Sequence, residues 1–296
     1  MIESGRAAHS AARIFYIRIC YDKLMARVMT IYNAKGGVGK TTTAINLAAY
    51  LALFGERTLL IDFDPQFNAS AGTGFTPVPG ATVYEALIGS VDPKDIIQQT
   101  PLHNLHLMPA SADLSGSLIE LVNVPERELY MRRLIEKVKD DYDYILIDMG
   151  PSLNLLSVNG LMAADEIIVP LQCEQFSIEG LAQLLETIGL VQNNLGHGLK
   201  IAGALLTMYD DADSFSREIA GEIRRRFPYA IFRTSIPKSP SLAEAPRFRR
   251  PVVLYDPKSP GAQSYEALAR EVREQNQQII HTGPFDAEGN EPTIGN

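Results

Sequence analysis

The chain has 296 residues, of which 46% are hydrophobic and 21% are charged, so it is long enough to bury one large core. The net charge of −8 and the pI near 5.2 argue against a chain that is basic all over, so any contact with nucleic acid must be local. Two cysteines are too few for a disulfide framework or a C-x-x-C metal site, and no apolar run approaches the ~18 residues of a membrane-spanning helix. We therefore expect a soluble, cytoplasmic protein.

Residues 1–27 are interpreted as an extension that precedes the domain. They carry several arginines and few acidic residues, a composition that superficially matches a transit peptide. Arg18 interrupts the short apolar run, so the apolar core of a secretory signal is absent. We expect a disordered or loosely docked extension, or a natural start at Met25 or Met29.

A glycine-rich turn at residues 35–42 lies between an apolar run, Val28 to Asn33, and a helical pattern that begins at Thr43. The run is typical of a strand buried on both faces of a parallel sheet. Closely spaced glycines let backbone N–H groups converge on phosphate oxygens, and the helix N-terminus adds a partial positive charge. The pattern predicts a P-loop in which Lys40 neutralises the β- and γ-phosphates and Thr41 binds Mg²⁺. The predicted nucleotide-binding residues of this loop are Lys35, Gly36, Gly37, Val38, Gly39, Lys40, Thr41 and Thr42.

The loop departs from the general P-loop pattern in one respect. That pattern would place a glycine at Ala34, and the loop here begins with a second lysine, Lys35. With this deviant Walker A motif, the chain resembles the ParA/MinD family of P-loop ATPases. The resemblance implies ATP and Mg²⁺ as ligands and an ATP-sandwich homodimer, in which Lys35 reaches across to the partner's phosphates and shares in catalysis with Lys40.

The second predicted strand, Thr58 to Asp62, follows a helix over residues 43–54 and ends in the sequence D-F-D-P-Q. This sequence resembles switch I of the family, which implies that Asp62 holds the water shell of Mg²⁺ and that Asp64 orients the attacking water. The alternative is that Asp62 and Asp64 are solvated carboxylates that only cap a turn. Phe67 stands where the family usually has glycine.

The segment between residues 76 and 143 is expected to be peripheral. Its predicted elements are a short helix from Val83 to Leu87, a strand from Leu105 to Pro109, a helix that opens at Ser111, and a helix from Pro125 or Glu126 to about Lys139.

The apolar run Tyr144 to Ile147 predicts another buried strand, and Asp148 follows it. This is the position of a Walker B carboxylate, which reaches Mg²⁺ through water. The family usually reads D-x-P-P-S at this point, and Gly150 replaces the first proline. We therefore expect a more flexible switch II loop.

Three further elements are predicted after this loop, a strand from Glu166 to Leu171, a helix from Ile178 to Leu195 and a strand from Ile201 to Thr207. Residues 172–180 resemble a segment that lies at the dimer interface of relatives. An ordinary strand-to-helix connection could have a similar sequence and is the alternative. Met208 and Pro237 match the residues that flank adenine in relatives, and ordinary packing is the alternative.

Two groups of arginines are the candidate DNA contacts. In the Soj-like branch of the family, an arginine commonly precedes the L-A-E-A-P segment and another basic residue often follows T-M-Y-D. This chain has Ser241 and the stretch Asp211-Ala212-Asp213 at these positions. We predict that other arginines substitute for them and face DNA in the ATP dimer; solvated charges or internal ion pairs are the alternative. They are Arg224, Arg225 and Arg226 at the end of a helix predicted over residues 214–227, and Arg247, Arg249 and Arg250 after L-A-E-A-P.

The predicted fold class is α/β, a doubly wound, mostly parallel sheet with helices on both faces. The L-A-E-A-P and Y-D-P-x-S-x-G-A segments resemble the ParA (Soj-like) branch, so the ATPase domain is placed at residues 28–278, after the extension 1–27. Residues 279–296 are expected to be a disordered tail.

The resemblance implies a slow Mg²⁺-dependent ATPase whose dimer binds non-specific double-stranded DNA on the nucleoid and drives chromosome or plasmid partition with a ParB-like partner. An orphan ParA-like ATPase that positions another cargo is the competing hypothesis. A MinD-like membrane ATPase is disfavoured, because the tail after Thr282 is acidic and lacks a basic amphipathic helix. Iron-protein reductases need cysteines that bind a cluster, and the two cysteines of this sequence do not supply them. Tyrosine-kinase relatives normally have a cluster of tyrosines at the terminus, which this sequence lacks.

Overall fold

One eight-stranded sheet forms the centre of the computed structural model, which describes residues 26–174 and 177–281. Along the sheet the strand order is β3-β4-β2-β5-β1-β6-β7-β8, and every neighbouring pair is parallel except β3 with β4. The predicted α/β fold class, a doubly wound and mostly parallel sheet, is confirmed. The strands are β1 Arg27–Ile31, β2 Thr58–Phe63, β3 Gln98–Gln99, β4 Leu105–Met108, β5 Tyr144–Met149, β6 Glu166–Gln172, β7 Lys200–Tyr209 and β8 Ile236–Pro237.

Helices cover both faces of this sheet, and short 3₁₀ turns join several of them. The α-helices are α1 Lys40–Leu53, α2 Asn68–Gly72, α3 Val83–Leu87, α4 Ser117–Glu120, α5 Tyr130–Glu136, α6 Leu155–Ala163, α7 Ser177–Asn194, α8 Ser214–Arg226, α9 Pro240–Glu244, α10 Val252–Tyr255 and α11 Pro260–His281. The 3₁₀ turns are Pro93–Ile96, Ala112–Gly116, Arg127–Leu129, Lys139–Asp141 and Ala245–Phe248. Among the helices of the described ranges, none combines the length and the apolarity needed to cross a bilayer.

Each face of the sheet has its own hydrophobic core, because successive side chains of a strand point to opposite sides. On β5, Ile145 and Ile147 enter the core of one face, which we call face A, together with α3 and α5 to α8. Tyr144 and Leu146 enter the core of the other face, face B, with α1, α2, α10 and α11. Burial on both faces explains why the central strands are continuous apolar runs rather than alternating ones.

The long helix predicted from residue 125 or 126 to about 139 is wrong. The structure has the turn Arg127–Leu129, then the shorter helix α5, and then the turn Lys139–Asp141. Glu126 has a φ of +53°, a left-handed conformation that a right-handed helix cannot include. The helix expected at Ser111 is likewise divided, into the turn Ala112–Gly116 and α4.

Arg27 belongs to the sheet, although the sequence placed it in the extension. It is the first residue of β1 and is buried, and its Nε donates to the Glu166 carboxylate at 3.0 Å. Its guanidinium also donates to the carbonyl oxygen of Val272 at 2.8 Å, which fastens α11 to the sheet. At the other end α11 continues to His281, past the predicted limit at 278. The expectations for residues 1–25 and 282–296 lie outside the described residues.

Candidate nucleotide-binding site

The loop between β1 and α1 lies at the carboxyl edge of the sheet and has the shape of a phosphate cradle. Gly37 and Gly39 have φ of +76° and +89°, a region that other residues rarely adopt. The ammonium group of Lys40 donates to the carbonyl oxygen of Lys35 at 2.9 Å, across the mouth of the loop. The loop therefore holds its form through its own contacts.

Two residues that the sequence reasoning missed anchor the cradle to the strands beside it. The Asn33 side chain donates to the carbonyl oxygen of Pro170 at 2.8 Å and accepts from the Lys35 amide at 2.9 Å. The Thr207 hydroxyl donates to the carbonyl oxygen of Val38 at 2.9 Å. These contacts bind the loop to β6 and β7, so its position depends on strands far away in the sequence.

Lys35 lies at the rim of the site, where it is not locked in place. Its ammonium group is 3.8 Å from Glu174 Oε2, and the two side chains are 37% and 50% exposed. An ion pair between such exposed groups is weak and easily screened. Glu174 belongs to the segment 172–180 that was predicted to face a partner subunit, of which residues 175 and 176 lie outside the described ranges.

Asp62 and Asp148 are side by side and fully buried at the ends of β2 and β5. Asp62 Oδ2 accepts hydrogen bonds from the amide and the hydroxyl of Ser70, both at 2.7 Å. Burial raises the pKa of Asp62 to about 6, although the hydrogen bonds from Ser70 oppose the shift. Asp62 is therefore held in position by α2.

Neither carboxylate oxygen of Asp148 has a hydrogen bond of ordinary geometry within the described part of the chain, although the Thr41 hydroxyl lies close enough to favour the charged form and lower the pKa of Asp148. Burial, followed by the neighbouring charge of Asp62, raises its pKa well above the usual value. A buried and unpartnered carboxylate is costly unless a cation offsets it. Mg²⁺ fits this position, because carboxylates and the hydroxyl of Thr41 are the hard oxygen groups that it prefers and phosphates complete its shell.

Asp64 lies between these carboxylates and the loop after β5. It is 7% exposed, and its Oδ1 accepts from the Gln66 amide at 3.0 Å. Burial lowers the pKa of the Lys40 ammonium, and the charges of Asp148 and Asp64 oppose that shift. The predicted phosphate lysine and the predicted water-orienting carboxylate therefore share one electrostatic environment.

Phe67 shows why glycine suits its position. Its φ is +44°, and its amide donates to the carbonyl oxygen of Asp64 at 2.8 Å. The left-handed conformation costs a residue with a side chain about 1–2 kcal/mol. The ring packs at the margin of the face A core, which offsets part of this cost.

A cavity of about 460 Å³ opens beside the cradle, on the side toward β8. Met208 and Pro237 both line it, so the structure brings together the two residues predicted to flank adenine. Most of its wall is apolar, as the site of a planar base would be. The other lining residues are Gly39, Thr42, Thr207, Ile236, Lys238, Ser239, Pro240, Leu242, Ala243 and Tyr265, of which Gly39 and Thr42 belong to the cradle.

Tyr265 is another residue that the sequence did not single out. It is fully buried on α11, and its hydroxyl forms a 3.0 Å hydrogen bond with the hydroxyl of Thr43 on α1. Helix α11, which Arg27 connects to the sheet, therefore also forms part of the wall of this cavity.

The six predicted DNA contacts form two separate groups within one subunit. Arg224, Arg225 and Arg226 lie at the end of α8, which packs on face A, and Arg226 is ion-paired with Glu222 at 2.6 Å. The other three lie in and just after the 3₁₀ turn Ala245–Phe248, which packs on face B. Arg247 and Arg250 line a second cavity of about 430 Å³ together with Thr41 and Thr42 of the cradle, and Arg249 donates to the Thr76 hydroxyl at 2.8 Å.

The chain is a P-loop nucleoside triphosphatase. Its glycine-rich loop lies between a buried parallel strand and a helix, and the buried Asp148 lies on the neighbouring strand β5. Comparisons with known proteins narrow this class. The sequence model of a family described as an AAA domain matches residues 26–201. The chain is 48% identical to the chromosome-partitioning ATPase Soj of Treponema pallidum, over 84% of this chain and 97% of that protein.

The chain is also 45% identical to the sporulation initiation inhibitor protein Soj of Bacillus subtilis, over 84% of this chain and 98% of that protein. Among solved structures, it is similar to cobyrinic acid a,c-diamide synthase of Mycobacterium smegmatis with bound ADP and magnesium. The TM-score is 0.76 and the identity 33%, over 92% of this chain and 100% of that one. The chain belongs to the Soj/ParA family of chromosome-partitioning ATPases, which confirms the resemblance found in its sequence.

Proposed function

We propose that this protein is a Mg²⁺-dependent ATPase whose ATP-bound homodimer binds DNA and partitions a chromosome or plasmid. The observation that carries the proposal is the unpartnered Asp148 carboxylate, buried beside a preformed phosphate cradle that adjoins an apolar cavity. The triphosphate, the metal ion and the base of ATP would each find a complementary surface there. The relative of known structure that contains ADP and magnesium supports this choice of ligands.

Each of the polar groups in the site has a part in hydrolysis. Lys40 and the loop amides stabilise the negative charge that develops on the transferred phosphoryl group. Thr41, Asp62 and Asp148 would hold Mg²⁺, which would supply further positive charge beside the phosphates. Asp64 orients a water molecule for attack on the γ-phosphorus, the bond from that atom to the bridging oxygen breaks, and ADP leaves.

Lys35 completes the site of a second subunit. Its ammonium group is half-exposed and has only a weak partner in Glu174, so it is free to extend toward another molecule. ATP would then hold two subunits together, and hydrolysis would release them. A ParB-like partner that accelerates hydrolysis would set the lifetime of this dimer on the nucleoid.

Hydrolysis is tested with Lys40→Ala and a matched control, Lys258→Ala. Lys258 is exposed and lines neither of the two cavities beside the cradle, so its removal is expected to leave ATP binding and hydrolysis unchanged. Lys40→Ala should lose both, because the charge that faces the phosphates is removed. Equal phosphate release from the two variants would refute the nucleotide site proposed here.

DNA binding is proposed to depend chiefly on the face B arginines. No carboxylate lies within 4.0 Å of Arg247, Arg249 or Arg250 in the described part of this acidic chain, so these charges are available to phosphates. Each phosphate contact contributes about 0.9 to the slope of log K against log salt. Reversing Arg249 and Arg250 to glutamate should abolish ATP-dependent retention of plasmid DNA and leave dimerisation unchanged.

Arg224 and Arg225 provide the matched control, since they are also exposed but lie on α8 at the other face of the sheet. Their reversal to glutamate should weaken retention less than the face B reversal does. Unchanged binding in the face B variant would place the DNA surface elsewhere. A wild-type dimer that fails to retain DNA even at low salt would instead favour the positioning of another cargo.

A further inference from the structure

The hydroxyl of Ser70 donates a short hydrogen bond to the Asp62 carboxylate, and both residues are fully buried. Asp62 Oδ2 accepts from the hydroxyl and from the backbone amide of Ser70, each at 2.7 Å. Asp62 Oδ1 receives only a long hydrogen bond from the Asp64 amide, at 3.3 Å. Because each carboxylate oxygen has two lone pairs, Ser70 fills the acceptor capacity of Oδ2 and leaves Oδ1 available to a metal ion or its water.

The direction of the Ser70 hydroxyl is fixed by a second neighbour. The backbone amide of Ala110, two residues after β4, donates to Ser70 Oγ at 3.1 Å. A hydroxyl that accepts on one side turns its own hydrogen to the remaining acceptor, which here is Asp62. Hydrogen bonds in such a chain polarise one another inside a protein. The Asp62 carboxylate is therefore held by α2 and, through Ser70, by the segment that follows β4.

Other buried serines of the described ranges use their hydroxyls differently. The Ser117 hydroxyl donates to the carbonyl oxygen of Leu114 at 2.7 Å, and the Ser259 hydroxyl to that of Asp256 at 2.8 Å. Those two bonds stay within one turn of the chain and end on the backbone. The Ser70 bond spans eight positions and ends on a carboxylate. Local capping of a turn thus explains the hydroxyls of Ser117 and Ser259 but not that of Ser70.

We propose that Ser70 is a positioning residue for metal binding, whose hydroxyl orients the Asp62 carboxylate toward Mg²⁺. The inference rests on the proposed role of Asp62 in holding Mg²⁺. Loss of a group that hydrogen-bonds a metal-binding side chain typically lowers metal affinity about 10-fold to 100-fold. The Ser70 amide remains in Ser70→Ala and still holds Asp62 Oδ2, so the expected loss is about 10-fold, at the lower end of that range.

Calorimetric titration of ADP in EDTA and in saturating Mg²⁺ measures this effect without turnover. The ratio of the two ADP affinities is the gain that the metal confers, and it should fall about 10-fold in Ser70→Ala. The affinity for ADP in EDTA should be unchanged, because Ser70 lines neither of the two cavities beside the cradle. Ser117→Ala is the matched control, since it also loses a buried hydroxyl, and it should leave both affinities unchanged.

A double-mutant cycle separates the positioning role from a general disturbance of α2. Asp62→Asn should itself lose most of the gain from Mg²⁺, and adding Ser70→Ala should lower the gain no further. Three results would overturn the proposal: a wild-type gain in Ser70→Ala, a loss of ADP affinity in EDTA as large as that in Mg²⁺, or the same fractional loss of gain in the Asp62→Asn background. A wild-type protein whose ADP affinity does not respond to Mg²⁺, or an unchanged gain in Asp62→Asn, would instead refute the proposed metal site.

Discussion

Replacing Asp148 by asparagine should make the metal-free protein more stable and at the same time abolish its response to nucleotide. The Asp148 carboxylate is fully buried, and an unpaired buried charge costs at least as much as an unsatisfied buried polar group, which is about 1–3 kcal/mol. The amide of asparagine carries no charge and is cheaper to bury. We expect the free energy of unfolding in EDTA to rise by about 1–3 kcal/mol, which corresponds to roughly 2–10 °C in Tm for a domain of this size.

The pH dependence follows from the raised pKa of Asp148. A carboxyl whose folded pKa lies above its unfolded value stabilises the fold fully only below the unfolded pKa, and this contribution is lost as pH rises through the folded pKa. Asparagine does not titrate. The advantage of the variant over wild type in EDTA should therefore grow as pH rises from about 4 and become constant above the folded pKa.

Calorimetry at pH 5 and pH 8, with and without Mg²⁺ and a non-hydrolysable ATP analogue, measures both effects. Saturating ligand should stabilise wild type by about 2.7 kcal/mol at 100 times its Kd, and the variant hardly at all. Asp95→Asn, at an exposed position, should match wild type throughout. If the Asp148 variant in EDTA is no more stable than wild type, the inference of an uncompensated buried charge is wrong.

Two further substitutions probe the dimer and the switch. The Lys35→Ala variant should bind ATP with nearly unchanged affinity but remain a monomer in light scattering, because the ammonium group is not needed within its own subunit. An ATP-dependent dimer of unchanged affinity would show that Lys35 is not part of the interface. Phe67→Gly should be about 1 kcal/mol more stable than Phe67→Ala in urea unfolding, since both lose the ring but only glycine relieves the left-handed strain at φ +44°. The reverse order would show that the position is unstrained.

The P-loop could be predicted because all of its determinants are local. Glycines, lysine and threonine within eight positions, between an apolar run and a helical pattern, specify both the turn and its chemistry. Tyr265 and Thr207 reach the site from strands and helices more than 150 residues further along the chain, and no local pattern marks them. Single-sequence periodicity has no access to such contacts.

Errors in the predicted elements arose where a backbone conformation or a distant partner overrides composition. Glutamate has a good helix propensity, but the positive φ of Glu126 excludes this residue from a right-handed helix. The predicted strand began with the apolar run at Val28 and left Arg27 in the extension, whereas Glu166 and Val272 satisfy the buried guanidinium of Arg27 in the sheet. The sequence located the two arginine groups at a helix end and after L-A-E-A-P, and the packing of that helix and of the turn Ala245–Phe248 places the groups at opposite faces of the sheet.

The ATP-dependent homodimer is the centre of the proposed function, and Asp64→Ala tests it most directly. The variant keeps the cradle and Thr41, so it should bind ATP, while it loses the carboxylate that orients water. Light scattering with ATP and Mg²⁺ should then show a stable species of twice the 32.6 kDa chain mass, with phosphate release nearly abolished. A monomer under these conditions, or hydrolysis at the wild-type rate, would contradict the account.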